Sequence, residues 1–68
     1  MAERLAKVEG HFVKDSPAAV LIRQGDNQFW LPKSQIDYQR RDADDSYECR
    51  MKLWLARKKD GLDYEEID

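Results

Sequence analysis

No uninterrupted apolar run in the chain is longer than the five residues Ala18 to Ile22, whereas a membrane-crossing helix needs about 20 such residues. The core must therefore be assembled from short pieces. Only 41% of the 68 residues are apolar and 38% are charged, which puts the chain near the polar edge of what folds. Two Trp, three Tyr and two Phe tip the balance towards a globular domain. A domain of this size buries roughly 60% of its unfolded surface and is stable by about 3–5 kcal/mol, so a deep enclosed active site is not expected.

One Cys (Cys49) and one His (His11) are too few for a disulfide framework or a zinc site. Met1 to Val8 reads MAERLAKV, with charges where a secretory signal has its apolar stretch. The expected location is thus the cytoplasm. Twelve Lys and Arg against 14 Asp and Glu leave a net charge of -2, with no global attraction to nucleic acid or anionic lipid.

The punctuation predicts a mostly β chain. Leu5 to Val13 reads as a first strand bent at Gly10 and closed by the turn Asp15-Ser16-Pro17. Ala18 to Gln24 and Gln28 to Pro32 read as two further strands, joined through Gly25-Asp26-Asn27 in a hairpin with Gly25 available for a positive φ. Pro32 cannot donate to a ladder, so Lys33 to Ile36 should cross to the next element as a turn, with Ile36 dipping into the core. Asp37 to Ser46 (DYQRRDADDS) has no apolar pattern and is expected to be a mobile solvated loop. Tyr47, Cys49 and Met51 alternate with charged residues as in a strand, and Lys52 to Asp60 contains helix formers, a basic last turn and Gly61 at the C′ position. Residues 63–68 form an acidic tail expected to fray, with Tyr64 and Ile67 as its anchors.

The fold expected is a single α+β domain over residues 1–68, ordered from about 5 to 62. It would be a small antiparallel β-meander or barrel-like sheet of about four strands, closed by a short C-terminal helix. Two boxes carry a family resemblance: Ala18-Ala19-Val20-Leu21-Ile22 with Gly25 leading into Trp30-Leu31-Pro32-Lys33-Ser34-Gln35-Ile36, and Trp54-Leu55-Ala56-Arg57-Lys58-Lys59 leading into Gly61-Leu62. With these the chain resembles small uncharacterised proteins of bacteriophages and bacterial mobile elements. In that group the second box follows a Pro and runs straight from Lys to Gly, whereas here Lys52 stands at the Pro position and Asp60 precedes Gly61. The resemblance implies the meander with its closing helix, and it implies no catalytic residue.

The three Gly are isolated at positions 10, 25 and 61 and form no phosphate loop. Cys49 shares a strand face with Tyr47 and Met51 and reads as a core thiol, while His11 alternates with Phe12 and points to solvent. Asp42-Ala43-Asp44-Asp45 resembles the start of a calcium loop, but the sixth and twelfth loop positions hold Tyr47 and Leu53. No catalytic residue, metal or cofactor is expected. Trp54 is expected in the core. Phe29 and Trp30 are adjacent, so one ring leaves the face that the other occupies: either Trp30 lies under the helix beside Trp54, or one of the two rings stands on a binding face. Lys14, Arg23 and Lys33 could join that ring.

The function these residues imply is a non-enzymatic binding protein, a phage or mobile-element accessory factor docking on a host protein, for example a defence or nucleic-acid-processing complex. It would be a monomer or weak dimer in the bacterial host's cytoplasm, with no membrane partner. The alternative is a small β-barrel that binds single-stranded nucleic acid by stacking a base on Trp30 or Phe29.

Overall fold

The computed structural model describes residues 4–67. Its elements run β1 (Leu5–Asp15), β2 (Ala19–Gln24), β3 (Asn27–Pro32), a one-turn 3-10 helix (Lys33–Gln35), β4 (Ile36–Arg41), β5 (Ser46–Lys52), α1 (Leu53–Lys58) and β6 (Glu65–Ile67). All pairing is antiparallel, in the order β3-β2-β1-β5-β4, and β6 adds to β1 beside Leu5 to Lys7. The expected four strands are therefore six, and the sheet is open rather than closed. Its edges, β3 and β4, are consecutive in the chain and are joined by the 3-10 turn, as the Pro32 stop requires.

β1 is the spine. Its first half faces β5 on one side and β6 on the other, and its second half pairs with β2. Ala6 and Val8 of β1, Val20 and Ile22 of β2, Leu31 of β3 and Tyr47, Cys49 and Met51 of β5 point inward with Leu53, Ala56 and Leu62, and all are buried. The buried residues thus recur at every second position along the first half of β1, β2 and β5, as a sheet with one covered face demands. Phe12, Phe29, Ile36, Leu55 and Tyr64 pack around this cluster.

The local chemistry explains the turns. Gly25 has φ +60° and opens a two-residue turn between the paired residues Gln24 and Asn27, the type II′ arrangement that puts Gly first. Gly61 (φ +81°) is not the residue directly after the helix cap. It is the third residue of a turn closed by the Leu62 N–H on the Lys59 carbonyl, 3.2 Å away.

Two segments expected to be irregular form strands. Asp37 to Arg41, read as the first part of a loop, form β4 together with Ile36, and five of the six β4 residues are exposed. An edge strand can be held by its backbone ladder without an apolar pattern, and cross-strand pairs such as Arg50 over the Tyr38 ring at 5.2 Å support it. Asp42 to Asp45 then make a tight hairpin: the Asp45 N–H donates to the Asp42 carbonyl (3.0 Å), and Asp45 takes the left-handed conformation (φ +67°) that Asp tolerates. The tail, read as frayed, pairs with β1 through Glu65 to Ile67; Asp68 lies outside the described residues.

The strand-to-helix switch falls where the residues place it, with α1 starting at Leu53, but the helix is six residues long and Trp54 is not core. Leu53 and Ala56, three apart, occupy its inner face and turn Trp54 outward to 48% exposure. Lys58 Nζ lies 5.5 Å from its ring centroid. Trp54→Ala should accordingly lower the unfolding free energy by less than about 1 kcal/mol, far from the 3–5 kcal/mol of a buried aromatic; a urea titration of parent and variant measures it.

Candidate functional site

The bulge in β1 builds the most distinctive surface. Phe12 pairs with Ile22 on the inner face, but the register then shifts, so that Lys14 rather than Val13 stands opposite Leu21. The extra residue leaves both Val13 (40% exposed) and Lys14 on the outer face. Across β2, Leu21 stands opposite Trp30. Lys14, Leu21 and Trp30 therefore form one outer row across three strands, and His11, Arg23 and Gln28 form the next.

Trp30 is 44% exposed on this face and does not lie under the helix. Its parity decides that: Leu31 is the buried inward residue of β3, so Trp30 faces out. Lys14 and Arg23 make no ion pair among the described residues. Asp15, next to Lys14 in sequence, is held instead by Lys33 at 2.7 Å.

Of the five residues singled out in the sequence, the outer face thus gathers Lys14, Arg23 and Trp30. It does not gather the other two. Phe29 stands opposite Ile22 and packs against the core. Lys33 follows β3 in the 3-10 turn and lines the mouth of the open sheet. Leu21 and Val13 join the face without having been singled out. A parity count back from the Gly25 turn would have paired Leu21 with Trp30; nothing in the residue pattern announces the Val13 bulge.

The mouth is a hollow of about 190 Å³ lined by Phe12, Asp15, Val20, Lys33, Gln39, Arg41 and Tyr47. Its polar groups are already engaged with one another. The Arg41 guanidinium lies 3.8 Å from the Phe12 ring centroid and also bonds Asp45 at 2.9 Å, and the Tyr47 hydroxyl donates to Gln39 Oε1 at 2.9 Å. Such internal pairing makes the mouth a buttress for the edges of the sheet.

Cys49 and His11 lie on opposite faces of the sheet and form no dyad. Burial pushes the Cys49 thiol up to about 11, which keeps it neutral and weakly nucleophilic. Among the described residues no three His, Cys, Asp or Glu side chains gather to hold a metal ion. The aspartates of the β4-β5 turn are structural: Asp44 Oδ1 accepts the Ser46 N–H at 3.0 Å, an interaction that also lowers the Asp44 pKa.

Comparison with known proteins returns no match among family models, curated proteins or solved structures.

Proposed function

We propose that the chain is a non-catalytic binding module that docks a partner protein on the outer face of β1, β2 and β3. The observation that carries this is Trp30, an exposed ring on regular strand backbone, directly opposite Leu21 and on one face with Lys14 and Arg23, which make no ion pair among the described residues. Trp and Arg anchor protein interfaces more than other residues do, because a rigid ring and a planar cation lose little freedom on burial. The likeness to phage and mobile-element proteins makes a host protein the partner in question, such as a defence or nucleic-acid-processing complex. The apolar content of the face, with Val13, Leu21 and Trp30 against two cations, favours a protein over a phosphate chain.

The second reading is single-stranded nucleic acid. It is favoured by the Asp15–Lys33 ion pair, which removes the carboxylate nearest Lys14 in sequence from repelling phosphates. Two phosphate contacts, at roughly -0.7 each, would give a log-log salt slope of about -1.4, and loss of the ring would weaken binding by about 1–3 kcal/mol for any base sequence.

Pull-down of the partner from a host lysate with and without nuclease, followed by binding kinetics on the purified pair, tests the proposal. Trp30→Ala should keep the parent's melting temperature within a few degrees and speed dissociation at least about 30-fold, as loss of about 2 kcal/mol requires. Lys14→Ala and Arg23→Ala should mainly slow association. Capture that disappears with nuclease, together with micromolar oligonucleotide binding along the salt slope above, would overturn the protein reading.

A further inference from the structure

β6 is three residues long and covers the first part of the β1 edge that β2, which pairs from His11 onward, leaves open: Leu5 faces Ile67, Ala6 faces Glu66 and Lys7 faces Glu65. Its side chains are read by charge. Glu66 accepts from Arg4 and from Arg57 (3.5 Å), and Glu65 lies 3.9 Å from Lys7, whose ammonium pKa is raised chiefly by its hydrogen bond to Glu9. Just before β6 the chain is pinned. Gln24 Nε2 donates to the Asp63 carbonyl and the Asp63 N–H donates to Gln24 Oε1, both at 2.8 Å. An anchored stem thus carries a short strand held by three backbone pairs and exposed ion pairs, each of the latter contributing little on its own. Beside Arg4 and Arg57 lies a cleft of about 200 Å³, completed by Leu53 and the exposed Trp54.

We propose that the β1 edge at Leu5 to Lys7 is a strand-addition site for an acidic extended segment of a partner protein, and that β6 occupies it in the free chain as a displaceable stand-in. The chain's own strand states the chemistry of the occupant: two successive acidic residues in extended backbone, read by Arg4, Arg57 and Lys7. Backbone pairing supplies adhesion and the cations supply selection. A partner strand with an apolar residue reaching the Leu53–Trp54 cleft would gain a contact that β6 leaves unmade. This surface does not involve the Trp30 face, and its test is independent of the function proposed for that face.

A labelled peptide with the sequence of residues 62–68 serves as the probe, titrated by fluorescence anisotropy into the full chain. The tethered strand competes at an effective concentration of about millimolar, so the parent should bind the peptide only weakly. Glu66→Arg, which sets like charges beside Arg4 and Arg57, should expel β6 and tighten peptide binding at least about tenfold. The same peptide with both Glu replaced by Lys should lose that gain and bind the Arg57→Glu chain instead. Amide exchange on the unmodified parent supplies a reading free of any folding defect: the β6 amides should exchange at least about a hundredfold faster than those of the β1-β5 ladder. Equal protection of β6 and the β1-β5 ladder would overturn the proposal, and so would a Glu66→Arg chain, folded by circular dichroism, that binds the peptide no better than the parent. A dimer that forms with rising concentration and is abolished by Arg57→Glu would assign the edge to a second copy and overturn the partner form.

Discussion

Gly10→Ala is expected to destabilise the protein by about 1–3 kcal/mol, a large part of the roughly 3–5 kcal/mol that holds a domain of this size together. A β-carbon at position 10 would come 2.8 Å from the Arg23 carbonyl oxygen and 3.3 Å from Ile22 Cδ1. The first of these neighbours is backbone and cannot rotate away. Arg23 faces His11 in the β1-β2 ladder, so relieving the clash means parting the two strands where β1 passes from its β6 pairing to its β2 pairing. Thermal unfolding followed by circular dichroism should show a fall of about 4–20 °C. A variant that melts with the parent would mean that β1 can shift at Gly10 without cost, and that the close approach is not what places glycine there.

The second large effect is a loss of stability in alkali. Burial raises the Cys49 thiol from its ordinary 9.0 to about 11, so between these values the unfolded chain releases a proton that the folded chain keeps. The unfolded state then binds fewer protons than the native state, and stability falls as pH rises. The contribution is fully present below about pH 9 and is lost towards pH 11, and two pKa units correspond to about 2–3 kcal/mol. Burial raises the Tyr47 hydroxyl as well, which acts in the same direction. Urea titrations at intervals from pH 8 to 11 should show the parent's unfolding free energy dropping across this window, with a shallower drop in Cys49→Ala. Parallel curves for the two would show that the thiol titrates alike in both states.

Much of this architecture is legible in the sequence because local chemistry and burial agree there. Gly25 marks the β2-β3 hairpin, Pro32 ends β3, and the alternation of Tyr47, Cys49 and Met51 gives the inner face of β5. β4 escaped because an edge strand pairs through its backbone, and its run Asp37 to Arg41 carries no buried side chain to reveal a period. β6 escaped because three acidic-to-apolar residues are too short to show one, and its hold on β1 depends on Arg4 and Arg57 from elsewhere in the chain. Trp54 was misplaced by size: a large ring suggests the core, but helical phase gives the inner positions to Leu53 and Ala56. Of the candidate face, Trp30, Lys14 and Arg23 came from residue type alone. Arg23 and Trp30 meet through the regular β2-β3 register, but Lys14 joins them only through the Val13 bulge, which the paired register alone reveals.

Because β1 is central, the chain meets its partners at very different loop lengths. The β2-β3 hairpin closes across a two-residue turn, whereas the β1-β5 rungs join residues 35 to 47 positions apart. Closing the longer loop costs more chain entropy before any contact offsets it, so the two-thirds of β1 that face β5 become ordered after the hairpins exist. The encounter between the β1-β2-β3 meander and the β4-β5 hairpin is therefore expected to set the speed at which the sheet forms, so that changes confined to the turns should alter that speed less than changes along the β1-β5 seam.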